Sequence, residues 1–69
     1  MEAYQERVIE EKNQLDEKIG KLMDFIEGRD FSRKITLAEQ KRMRRQEMIM
    51  ELYSEVLADR IKHFTMISH

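Results

Sequence analysis

Cysteine, proline and tryptophan are absent from this sequence, and glycine occurs only twice, at Gly20 and Gly28. Without cysteine there is no disulfide framework and no thiolate metal site. The two histidines, His63 and His69, are too few for a structural zinc site, so no metal is expected. Apolar runs extend over only a few residues, against the roughly 20 that a membrane-spanning helix needs, and no stretch has the layout of a secretory leader. The expectation is a soluble, intracellular chain without a membrane partner. Catalytic signatures are missing as well: there is no glycine-rich phosphate loop, no nucleophile elbow and no serine beside a histidine. The neighbouring acids Glu10–Glu11 and Asp16–Glu17 point to different faces of a helix and cannot converge on one atom. The chain is therefore not expected to be an enzyme, and no cofactor is expected.

What is present is helical in character. Of 69 residues, 39% are charged, and the net charge is only −1. Below roughly 70–80 residues a single apolar core rarely supplies more than about 3–5 kcal/mol. With disulfides and metals excluded, self-association is the reinforcement left. Tyr4, Val8, Leu15, Ile19, Leu22 and Ile26 recur by threes, fours and sevens, which predicts one apolar stripe on a helix over about residues 3–27. Gly28 is expected to close it in a left-handed conformation. The stretch 28–35, GRDFSRKI, reads as a loop, with Phe31 and Ile35 folded back as plugs. "TLAE" from Thr36 reads as a capping box opening a second helix over about residues 36–65, with Glu39 reaching back to the Thr36 amide. Its stripe is Met43, Met50, Tyr53, Leu57, Ile61 and Phe64, flanked by Ile49 and Val56. Met23, Met43, Met48 and Met50 suit adaptable packing in cores and seams.

The fold class expected is all-α: one domain over residues 1–69, an antiparallel two-helix hairpin that assembles into a compact homo-oligomer. Two helices joined by so short a connection pack as antiparallel neighbours. A hairpin cannot cover Ile9, Phe25, Met48 and Leu52 by itself, so other copies must.

Charge is unevenly placed. Residues 1–28 carry eight acids and four bases, whereas residues 29–45 carry seven bases and two acids. The cluster KRMRR at 41–45 could grip nucleic-acid phosphates, but a helix spreads Lys41, Arg42, Arg44 and Arg45 around its circumference, and Glu39, Glu47 and Glu51 lie about one turn away. A solvated face is the favoured reading, and a DNA or RNA partner is disfavoured. Tyr4 has two readings. Antiparallel pairing sets it beside Arg60, Ile61 and Phe64, where it could plug the end of the hairpin. Lys18 follows fourteen residues later and returns to within about 40° of the same face. Two hairpins related by a two-fold axis near Glu11 would bring Tyr4 of one copy opposite Lys18 of the other. An aromatic ring beside cations suits a planar base attached to a phosphate.

The run Y-Q-E-R-V-I-E-E-K-x-x-L-D-E-K-I-x-K-L-x-x-F-I at 4–26, E-Q at 39–40, Q-x-x-x-M at 46–50 and Y-S-x-V-L-x-x-R-I-x-x-F at 53–64 resembles the helical-hairpin family of phage cyclic-nucleotide sponges. These are the anti-CBASS proteins and the hairpin part of the anti-Thoeris proteins. The resemblance covers about Ala3 to Phe64. It implies a compact hexamer, acting in the cytoplasm of the infected bacterial host. It implies ligands that are cyclic dinucleotides such as cGAMP, and cyclic trinucleotides at a separate site, captured without cleavage. On this resemblance Tyr4 matches the stacking tyrosine and Arg60 the arginine late in the second helix. Lys18 matches the phosphate-contacting lysine, with Lys21 one turn away as the alternative, and Gln5 is a candidate base contact.

Overall fold

The computed structural model describes residues 1–67, with side-chain surroundings through Phe64; Ser68 and His69, at the end of the tail, lie outside the described residues. The described residues are all-helical, without strands. They form α1 (Ala3–Glu27), α2 (Arg29–Lys34) and α3 (Leu37–Ile67). The whole measures 53 × 14 × 14 Å, a rod two helices thick.

The two long helices lie side by side because each has an apolar stripe to bury. Val8, Leu15 and Ile19 of α1 meet Leu57 and Phe64 of α3, and Met23, Met50 and Ile61 pack against this core. Partners descend α3 as they ascend α1. Tyr4 meets Phe64, Lys12 and Asp16 meet Ser54, and Met23 and Ile26 share a cleft with Arg44 and Met48. Leu57, at 0% exposure, is the most deeply buried side chain of the core. Burying one such side chain is worth about 1.5–3 kcal/mol.

One polar contact crosses the apolar seam. Lys12 Nζ donates to Asp16 Oδ2 at 2.6 Å and to Ser54 Oγ at 3.1 Å, while the Ser54 hydroxyl donates to Asp16 Oδ1. Ser54 is buried, and this closed triangle satisfies it. Hydrogen bonds from Lys12 first and Ser54 second hold the Asp16 carboxyl below the usual carboxylate range, against the smaller effect of burial.

Several expectations are corrected. The stretch expected as a loop over 28–35 contains α2, a six-residue helix. Its Asp30–Lys34 pair spans one turn at 3.7 Å, and the Ile35 amide donates to the Phe31 carbonyl. Phe31 anchors it at 2% exposure, whereas Ile35 is only half-buried. Gly28 is not left-handed: its φ is −78° and its ψ 165°. Glycine suits the position for space, because a Cβ would sit 3.3 Å from the carbonyl oxygens of Asp24 and Phe25. Thr36 Oγ1 does accept from the Glu39 amide at 3.2 Å, but the Glu39 carboxylate turns to Arg42, whose Nε donates to it at 2.7 Å. Tyr53 does not belong to the buried stripe. It is exposed, and the buried position beside it is Ser54. Phe25, Met48 and Leu52 are exposed, but Ile9 is half-buried.

Candidate functional site

Tyr4 opens α1, whose start is tied down by Gln5: its Oε1 accepts from the Glu2 amide at 3.0 Å, satisfying a donor that the helix itself leaves over. Gln5 thus already has a structural task. The Tyr4 ring meets Phe64 edge to face, with centroids 5.6 Å apart and planes at 82°. An edge-on contact of this kind leaves a ring face open, and Tyr4 remains 46% exposed. Arg60 lies one turn before Phe64 on α3 and is exposed. Among the described residues it has no ion-pair partner.

Lys18 and Lys21 are elsewhere. Fourteen residues of helix separate Lys18 from Tyr4 by about 21 Å along the axis, so one chain does not bring them together. Lys18 is exposed with no ion-pair partner among the described residues. Lys21 is paired with Glu17 at 3.3 Å, both side chains being largely in solvent. A contact of that kind is worth at most about 1 kcal/mol and yields readily to a stronger anion.

The opposite end of the rod carries a cleft of about 340 Å³ lined by Met23, Ile26, Glu27, Arg44, Glu47 and Met48. None of the residues singled out from the sequence for ligand binding lines it. Beside it, Phe31 meets Phe25 edge to face at 6.1 Å, and the Arg44 guanidinium sits 5.1 Å from the Phe31 ring centre. Of the KRMRR cluster, Arg44 is therefore committed to an aromatic ring and Arg42 to Glu39. Of the three acids expected to balance the cluster, Glu39 does so, whereas Glu47 and Glu51 crowd each other. Burial raises the Glu47 carboxyl above its ordinary range, reinforced by the hydrogen bond that its protonated form donates to Glu51 and by the charges of Glu51 and Glu27.

Sequence reasoning missed Ser54 and the Arg44–Phe31 contact. Ser54 had a visible signal: Met50, Ser54, Leu57, Ile61 and Phe64 follow the helical interval, so a lone hydroxyl interrupts an apolar stripe. The Arg44–Phe31 contact had none, because it depends on the short helix α2 turning Phe31 back toward α3. No described helix is long and apolar enough to cross a membrane, and no cluster of metal-ligating side chains occurs among the described residues.

Comparison with known protein families gives a match, over residues 2–63, to the family described as Sequestin. No curated protein and no solved structure matches the chain.

Proposed function

The chain belongs to the Sequestin family, and from that premise we propose that it is a sponge: a phage anti-defence protein that captures cyclic di- and trinucleotide immune signals and releases them uncleaved. The family name speaks of sequestration. The finer identification, signals of CBASS or of Thoeris type in the cytoplasm of an infected bacterium, rests on the sequence resemblance. The working unit is a homo-oligomer of helical hairpins, a hexamer on the same resemblance. The protein has no catalytic task and lowers free ligand by mass action, which requires a dissociation constant below the signalling concentration.

The observation that carries this reading is the Tyr4 end of the rod, where a half-exposed ring meets Phe64, one helical turn along α3 from Arg60, an exposed cation with no ion-pair partner among the described residues. The ring stacks a base, a contact worth about 1–3 kcal/mol, and Arg60 pairs a phosphate. Lys18 completes the site from another copy. Gln5 contributes through the helix start that it holds, and Lys21 is the alternative cation.

The edge-to-face contact of Tyr4 with Phe64 favours a second reading. In it Tyr4 is only a plug, and the protein is a structural or adaptor hairpin of a phage with no small-molecule ligand. Calorimetry with a panel of cyclic di- and trinucleotides separates the two. The sponge gives saturable heat, and the ligand recovered after denaturation is chemically unchanged. A flat titration across the panel favours the adaptor.

A further inference from the structure

The interior of the α2 end is satisfied, but its outer surface is not. Residues 29–45 carry seven bases against two acids, and both acids are spent locally, Asp30 on Lys34 at 3.7 Å and Glu39 on Arg42 at 2.7 Å. Arg44 lies against the Phe31 ring. Four cations are left, Arg29, Arg33, Lys41 and Arg45, all exposed and none with an ion-pair partner among the described residues. Helix geometry sets where they stand. Arg29 and Arg33 are one turn apart on α2, each about 160° round from the buried Phe31, so they point away from the hairpin. Lys41 and Arg45 repeat the arrangement on α3, about 180° and 140° round from Met50, which packs against the core. The Arg44–Phe31 contact holds α2 against the first turns of α3, so both pairs belong to one end of the molecule.

Acids one turn away would make this an ordinary solvated face, and the fold withholds them. Lys41 and Arg45 have no acid three or four residues off in either direction. Glu39 and Glu47 stand two residues off, and so on other faces, and Glu47 is crowded against Glu51 and Glu27. Each pair instead sets two like charges four residues apart, an arrangement that destabilises a helix and is offset by nothing inside the chain. An external polyanion offsets both pairs at once. Three of the four cations are arginines, whose planar fork grips a phosphate through two hydrogen bonds. The cations of each pair are about 6 Å apart along their helix, and a nucleic-acid strand offers a phosphate about every 3.4 Å of its axis, so each pair spans about two phosphate steps. A single strand calls for open aromatic rings on which its bases stack. The segment 29–45 has only Phe31, which is buried, so the backbone of a duplex is the better match. A membrane surface fits less well. Beyond Arg45 the outer surface of α3 turns apolar, with Ile49, Leu52, Tyr53 and Val56 exposed, but Glu55 and Asp59 lie within about 60° of Leu52 on that surface and are repelled by anionic headgroups.

We propose that the α2 end, through Arg29, Arg33, Lys41 and Arg45, is a binding surface for the phosphate backbone of duplex nucleic acid, gripped without regard to base sequence. It overturns the expectation that the KRMRR cluster is only a solvated face. The surface lies at the opposite end of the rod from Tyr4, shares no residue with the nucleotide site proposed there, and does not rest on the sponge reading.

The test is fluorescence anisotropy of the whole chain with labelled mixed-sequence duplexes of DNA and of RNA, over a series of salt concentrations. Four phosphate contacts give a slope of log K against log salt of about −3.6 on DNA, a loss of roughly a hundredfold between about 50 and 200 mM salt. Arg29→Gln/Arg33→Gln and Lys41→Gln/Arg45→Gln each reduce the slope by about 1.8, and the four changes together abolish binding. The melting temperature of each variant stays level or rises, because a like-charge pair is removed, which separates loss of the surface from loss of the fold. Similar affinity for unrelated base sequences supports a grip on the backbone, and a hundredfold preference for one sequence overturns it. Absence of binding at about 50 mM salt, or a slope that the fourfold variant leaves intact, overturns the surface. Adhesion to phosphatidylserine vesicles without binding to either duplex overturns the nucleic-acid partner.

Discussion

The two ends of the rod use the same ingredients to opposite effect. Each has an edge-to-face aromatic pair, Tyr4 with Phe64 at one end and Phe25 with Phe31 at the other, and each has an arginine nearby. At the α2 end the chain satisfies itself. Phe31 is buried at 2% exposure, Arg44 lies against its ring and Arg42 is paired with Glu39. At the Tyr4 end the ring is half-exposed, and Arg60 has no ion-pair partner among the described residues. The lesson is that an aromatic next to an arginine does not by itself mark a binding site. What distinguishes the Tyr4 end is what its own fold leaves unused.

The largest expected effect that sharpens this contrast comes from the self-satisfied end. Phe31→Ala removes a buried ring, and such truncations cost about 3–5 kcal/mol. In a chain this small the denaturation midpoint, measured at fixed protein concentration, should fall drastically. A loss under about 1 kcal/mol would show that Phe31 does not hold the α2 end together.

Tyr4→Ala is expected to do the reverse. Cyclic dinucleotide affinity should drop about tenfold or more, in line with the loss of one stacked base, while assembly and melting temperature change little. If assembly is lost instead, Tyr4 is a plug and the two ends differ only in how well they are sealed.

Titration offers a smaller, signed effect along the rod. Asp16 has its pKa lowered from an ordinary 3.8, so it stabilises the folded state when ionised, and this contribution disappears as pH falls through the lowered value. Glu47, raised from an ordinary 4.5, works the other way. Its ionised form is disfavoured in the folded state, and acidification toward 4.5 relieves that cost. Stability should therefore rise slightly on mild acidification and fall in strong acid. Asp16→Asn should flatten the acid limb in a series of denaturation curves, leaving the upper limb in place.

The smallest expected change is from Glu47→Gln, which should stabilise the chain slightly at neutral pH and erase the upper limb. An unaltered pH profile would mean that the crowding among Glu27, Glu47 and Glu51 has no consequence for folding.

The α1 stripe was readable from sequence because helical periodicity reports burial wherever a helix has one partner. Val8, Leu15 and Ile19 are spaced for one partner and are buried. Periodicity is ambiguous on α3, where two apolar faces overlap in sequence. Tyr53 fits the interval of either face, and it was assigned to the buried one. α2 was hidden because GRDFSRKI is too short to show a period and opens on a glycine. Near the candidate site, the meeting of Tyr4 with Phe64 was legible, because pairing the helix ends in opposite directions sets first residues beside last ones. The commitments of Gln5 to Glu2, of Lys21 to Glu17 and of Arg44 to Phe31 could not be foreseen, since each depends on rotamers and neighbours rather than on spacing.

Composition and the threefold and fourfold intervals alone determined that this chain makes two long amphipathic helices. Tertiary structure decided which face of α3 is spent inside and which is left for another surface. It also decided which cations are already engaged and which remain without an ion pair among the described residues. Burial and hydrogen bonding are properties of neighbours, and only the folded chain supplies those.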